Sequence, residues 1–140
     1  MKKILLLILF VCALSCASDD STGIAISAEN ITGTWKPIAV YYEGYYEYVT
    51  HIEQCATTAD YLEISAENNG FEYYYYNVNC NVSDMELGIW DLYGKRLTVA
   101  TFDPAATADR IFWIDNLTQT EMTLRYEDQG VLKKVKYQRA

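Results

Sequence analysis

The chain has 140 residues, enough for one domain with a modest core. Nineteen acidic side chains against eleven basic ones give a formal net charge of −8. Nucleic acid is held by lysine and arginine neutralising phosphates, so this balance argues against it, and against a folded domain that adheres directly to anionic membranes.

Lys2 and Lys3 precede an apolar run, residues 4–14, that carries no charge. Ser15-Cys16 follows, and the composition then turns polar through Ala17-Ser18-Asp19-Asp20-Ser21-Thr22-Gly23. A positive start, a short apolar stretch and a small residue before the cut describe a secretory signal. The run is 11 residues long, where a membrane-spanning helix needs about 20, so no persistent span is expected. Ala13-Leu14-Ser15-Cys16 resembles a bacterial lipobox, with Ala13 standing where leucine is usual. The resemblance implies that residues 1–15 are a lipoprotein signal peptide and that Cys16 heads the mature chain and carries acyl chains such as palmitate. An ordinary cleaved signal with a chance cysteine is the competing reading. Each buried methylene adds about 0.8 kcal/mol, so several acyl chains anchor firmly where one does not. Ser18-Asp19-Asp20 resembles the acidic export tags of surface lipoproteins in Bacteroidetes, although a plain flexible spacer has the same composition. The expected location is the outer membrane, on its periplasmic or its cell-surface side.

Cleavage before Cys16 removes two lysines and no acid, so −8 becomes −10. Cys12 leaves with the leader and Cys16 takes the lipid, which leaves Cys55 and Cys80. In an oxidising compartment such a pair is expected to form a disulfide. Closing its loop would be worth roughly 3 kcal/mol in the chain-entropy model. A metal or redox pair lacks both CxxC spacing and a second histidine.

Residues 16–30 read as an acylated cysteine followed by a small, polar, acidic tether, and the folded domain as 31–140. No long amphipathic helix is visible from there on. Short alternating runs rich in Tyr, Val, Ile, Thr and Trp predict strands over 34–42, 61–65, 71–78, 86–92, 96–102, 110–116, 121–126 and 131–138. A further patch, 45–52, makes a ninth if it is counted. Asn69-Gly70 suits a tight hairpin, because asparagine and glycine tolerate positive φ. Hairpins without crossover helices predict an all-β antiparallel up-and-down meander, and eight such strands can close into a small barrel. Alternation puts Trp35, Leu62, Ile64, Trp90, Leu92, Leu97, Val99, Phe112, Ile114, Met122, Leu124, Val135 and Tyr137 on the inner face. Gly88, sharing that face with Trp90, is expected to leave room beside the indole for a ligand or another ring, room that Trp90 itself can fill in so small a barrel.

Gly33-Thr34-Trp35 opening the first strand resembles the G-x-W motif of lipocalins. The ordered set Ile31 to Trp35, Cys55, Cys80, Gly88-Ile89-Trp90, Lys95 to Val99, Ile114, Leu117, Leu124 and Tyr137-Gln138-Arg139 resembles the lipocalin-like lipoproteins of Bacteroidetes. The likeness spans residues 31–139. It implies an eight-stranded lipocalin-like barrel that binds a small apolar molecule. It also implies that Arg139 caps one barrel end over Trp35, a cation–π contact of about 0.5–2 kcal/mol. The candidate ligand-facing residues are Trp35, Trp90, Leu92, Leu97, Val99, Phe112, Ile114 and Leu124.

Catalytic signatures are missing from the sequence. His51 is the one histidine, no serine sits in G-x-S-x-G, and no nucleotide loop occurs. No enzyme, cofactor or metal is expected. His51, Glu53 and Cys55 would share one strand face, but Cys55 belongs to the expected disulfide and two ligands are too few. Nine of thirteen tyrosines fall at Tyr41, Tyr42, Tyr45, Tyr46 and Tyr48 and at Tyr73 to Tyr76. Four consecutive strand tyrosines must face both sides. The exposed ones suit stacking on a glycan or a protein, although strand propensity alone also favours tyrosine. Two functions follow. One is a barrel that binds a small apolar ligand; the other is an interaction or inhibitor protein with a packed barrel. The width of the interior separates them.

Overall fold

The computed structural model describes residues 22–106 and 108–140. The leader and Cys16 lie outside the described residues. A short helix α1 (Ala28–Ile31) precedes β1 (Gly33–Tyr42), β2 (Val49–Thr50), β3 (Tyr61–Ile64), β4 (Gly70–Tyr76), β5 (Val82–Tyr93), β6 (Arg96–Thr101), β7 (Arg110–Leu117), β8 (Glu121–Asp128) and β9 (Val131–Arg139). Strands β3 to β9 pair antiparallel in chain order, β1 pairs β3, and a β1–β9 ladder closes the ring. The domain is an all-β, eight-stranded up-and-down barrel. Short β2 is an added ninth strand on the far half of β1. Alternation builds the core: in β7 exposed Ile111 and Trp113 alternate with buried Phe112 and Ile114.

The predicted strand over 45–52 shrinks to Val49–Thr50. Gly44 takes φ +91°, and Tyr45 N–H bonds back to the Tyr42 carbonyl at 3.1 Å, so the chain turns instead of running on. The run 71–78 stops at Tyr76, because the Asn77 side-chain oxygen accepts the N–H groups of Asn79 and Asn81 and curls the chain. Strand β5 starts at Val82, four residues before the expected 86. In the β3–β4 turn Asn68 and Asn69 hold the positive φ angles, while Gly70 is extended.

The tether also ends earlier than its composition implies. Ile31 is fully buried, Ile24 and Ile26 pack on the same core, and Ile24 N–H donates to the Leu117 carbonyl. Ser27 caps α1 by accepting from Asn30 N–H. Three isoleucines in a polar stretch are enough to seat residues 24–31 under the barrel end at which β1 starts.

Candidate functional site

The barrel has two unlike ends. At the end where β1 begins, Trp35 is fully buried and its Nε1 donates to the Ile31 carbonyl at 2.9 Å. Arg139 lies over its ring, 4.1 Å from the centroid. The same guanidinium donates to the carbonyls of Gln119, Thr32 and Asn30 at 2.7–2.8 Å. Four chain segments are thus joined at one closed end.

The lower bore is filled. Leu97, Val99, Ile114 and Leu124 are fully buried beside Trp35, and Phe112 and Trp90 nearly so. Leu92, at the rim of this end, is only half-buried. Trp90 Nε1 donates to the Ser65 carbonyl at 3.0 Å. Strand β6 takes the space that the missing side chain of Gly88 leaves. A Cβ on Gly88 would lie 2.5 Å from the Ala100 carbonyl oxygen and 2.8 Å from Val99 Cγ1, so the glycine admits strand β6 rather than a ligand.

The upper bore is lined by tyrosine and charge. Tyr73 and Tyr75 point inward, with ring centroids 5.4 Å apart. The Tyr75 and Tyr137 hydroxyls meet at 3.4 Å. Phe71 stacks on Phe112, which touches Tyr126. Burial pushes the Tyr75 phenol up to about 12, opposed by its bond to Tyr137 and aided by Asp60 and Asp84. Burial also raises Tyr73, Tyr126 and Tyr137. Arg110 Nε sits 2.9 Å from Glu86 Oε2, and Nη1 is 3.9 Å from Asp128. The Glu86 contact is poorly aligned, and among the described residues the buried Nε has no hydrogen-bond acceptor. It is an ion pair more than a hydrogen bond.

A cleft of about 1050 Å³ opens beside this layer. Its walls are Tyr73 and the β5 residues Asp84 to Leu87, the loop after β6, and Arg110 with Glu127. The loop makes the gap. The β5–β6 ladder stops at Gly88–Thr101, and beyond it Phe102 N–H still donates to the Leu87 carbonyl. At Asp103-Pro104 the chain bends away: the Asp103 side chain takes Ala105 N–H, its carbonyl takes Ala106 N–H, and proline has no donor to offer.

Across the mouth, Cys55 and Cys80 form a disulfide with Cα atoms 4.9 Å apart. His51 pairs with buried Asp60 at 2.7 Å, and Asp60 also accepts Tyr76 N–H. The residue weighed with His51 for a metal, Glu53, is exposed. On the outer wall Tyr74 stacks on Tyr61 and Tyr76. Lys136 lies over Tyr48, and Lys134 over Tyr41. Tyr45 and Tyr46 project from the rim.

The sequence reading leaves out Glu86 and Arg110, and it names Tyr73 only as one of four tyrosines facing both sides. The signal was available, because each shares alternation parity with a core residue: Glu86 with Trp90, Arg110 with Phe112, Tyr73 with Phe71.

Comparison with known proteins gives one family and a set of like folds. The model of the family described as "Lipocalin-like domain" matches residues 31–124. A crystal structure of a lipocalin-like protein from Bacteroides uniformis superposes with a TM-score of 0.54 at 14% identity, covering 79% of this chain and 99% of that one. An uncharacterized protein from Bacteroides eggerthii gives a TM-score of 0.55 at 12% identity, over 78% and 98% of the two chains. At these identities the likeness is one of fold. The search of curated proteins gives no match.

Proposed function

This chain belongs to the lipocalin-like domain family, and on that footing we propose that it is an exported, lipid-anchored interaction module with a packed barrel. The acyl chains are carried by Cys16 and hold it to the outer membrane, on the periplasmic or surface side. The leader supports this: Lys2 and Lys3, an uncharged apolar run and Ala13-Leu14-Ser15-Cys16. The filled lower bore carries the interaction reading. Trp35, Leu97, Val99, Ile114 and Leu124 leave the depth of the barrel to side chains, so binding belongs at the open end and on the outer wall.

Geometry favours presentation of that open end. Five residues lie between Cys16 and Thr22, and the six steps reach at most about 22 Å. Ile24 docks at the closed end, beside Leu117. The anchor therefore holds the closed end toward the lipid and points the mouth away from it. The partner is a protein or glycan met by the mouth and the projecting Tyr45 and Tyr46, whose large amphipathic rings suit such contacts. The role is binding, not catalysis.

A second reading, a small apolar ligand, is favoured by one observation: Phe102 and Met85 stand exposed at the side cleft. Native mass spectrometry of the purified protein, followed by titration with oleate and anilinonaphthalene sulfonate, separates the two. The interaction reading expects an unliganded mass and no saturable response. A stoichiometric apolar adduct, or saturable binding that quenches Trp90, overturns it.

A further inference from the structure

We propose that the free edge of β5 at the side cleft is a strand-addition site for an extended partner segment in which basic and apolar residues alternate. This deepens the interaction reading and rests on it.

Strand β5 pairs with β4 along most of its length, from Val82 to Ile89, but with β6 only from Gly88 onward. Its half from Val82 to Leu87 therefore has one partner strand. Leu87 turns its carbonyl toward β6, where it takes Phe102 N–H. Backbone groups two residues apart point the same way along a strand, so the N–H and carbonyl of Met85 face the cleft. Among the described residues neither has a hydrogen-bond partner. The cleft is the place that β6 vacates when Asp103-Pro104 bends the loop away. The unpaired edge, the five residues from Val82 to Glu86, spans roughly 17 Å and is a ready template for another strand.

The flanking side chains say what that strand carries. Toward the lumen β5 offers Asp84 and Glu86; outward it offers Met85 and Leu87, with Phe102 beside them. The cleft lining holds five carboxylates, Asp84, Glu86, Asp103, Asp109 and Glu127, against the single guanidinium of Arg110. That guanidinium is already engaged by Glu86. An added strand presents alternate residues to the two faces, so lysine or arginine meets the lumen side and apolar residues cover Met85 and Phe102. A second copy of this chain is a poor occupant. Edge-to-edge pairing would bring the Asp84 and Glu86 carboxylates of both copies together.

The test uses the mature lipidated protein in detergent and fluorescent seven-residue peptides. The alternating lysine–valine peptide is expected to bind saturably by anisotropy, and the glutamate–valine peptide and a blocked KKKVVVK-type sequence are not. Backbone N-methylation on every lysine or on every valine removes donors from one strand edge at a time. One of these two peptides is expected to lose at least about tenfold in affinity while the other keeps it. Met85→Pro removes the donor that faces the cleft and leaves the β4 ladder intact, and is expected to weaken binding as much. If that variant does not fold, Asp84→Asn with Asp103→Asn reads the charge requirement instead. Equal binding of the acidic peptide, indifference to both methylation patterns, or a concentration-dependent dimer abolished by Met85→Pro overturns the proposal. So does the absence of binding by any peptide, which leaves the packed-bore reading to the oleate titration.

Discussion

Arg139, in the last strand, lies over Trp35 near the start of the first strand, 4.1 Å from the ring centroid. The contact explains the glycine two places before the tryptophan. Gly33 sits at φ +131°, and a Cβ there would stand 2.8 Å from Arg139 Nη1. The spacing Gly33-Thr34-Trp35 thus makes room for a guanidinium that arrives from the far end of the chain.

The first prediction follows from that lock. Arg139→Ala removes the cation–π contact and three hydrogen bonds to carbonyls, and should lower unfolding stability by about 2–4 kcal/mol in urea. Arg139→Lys should recover less than half, since an ammonium cannot fork to three carbonyls while stacking. Gly33→Ala should resemble the alanine variant. Wild-type stability in Arg139→Ala would remove the closed end as a stabilising centre.

Gly88→Ala tests whether the glycine admits a strand or leaves a space. The contacts that a Cβ would make include the Ala100 backbone, which cannot swing aside. The variant should lose about 1–3 kcal/mol or more and show no gain or loss of probe binding. A neutral substitution would mean open room beside Trp90.

The disulfide can be assayed directly. Thiol labelling of the native protein should find neither Cys55 nor Cys80 reactive. Replacing both by serine should cost roughly 3 kcal/mol. Two titratable thiols in the native state would contradict the bond.

Alkaline pH should unfold the barrel through its tyrosines. Tyr75 is raised to about 12 by burial, and Tyr73, Tyr126 and Tyr137 are raised as well. In the unfolded chain the same phenols ionise near 10. Their folded state binds protons more tightly, so the stability they contribute is complete below about pH 10 and falls as pH climbs from there through the folded values. Each such phenol costs about 1.4 kcal/mol per pH unit in that window. Absorbance at 295 nm should show these tyrosines ionising together with the loss of circular dichroism. Smooth ionisation near pH 10 with the fold intact would refute the buried cluster.

For the anchor, Cys16→Ala should move the protein to the soluble fraction or leave it as an unprocessed precursor. Equal membrane association of mutant and wild type would count against acylation at Cys16.

Alternation within each run was enough to read an all-β meander and to choose most of its inner face, because a strand's side chains have a period of two whatever lies beside them. Trp35, Leu62, Ile64, Leu97, Val99, Phe112, Ile114, Met122, Leu124, Val135 and Tyr137 were all legible that way and are all buried. The pairing of Cys55 with Cys80 was legible from the small number of cysteines in the chain. What a face contains at a given height in the barrel was not, because that depends on the register between strands. Glu86 and Arg110 have the inward parity of their own strands, but they become a half-buried ion pair only where β5 and β7 flank the gap beyond the end of β6. What fills the room at Gly88, a ligand or a ring, is open in the sequence; in the barrel it is the β6 backbone. The side cleft exists because β6 ends at Thr101 while β5 runs back to Val82, a mismatch in strand lengths set by where Asp103-Pro104 turns the chain. Local pattern decides which way a side chain points; only the closed barrel decides what it points at.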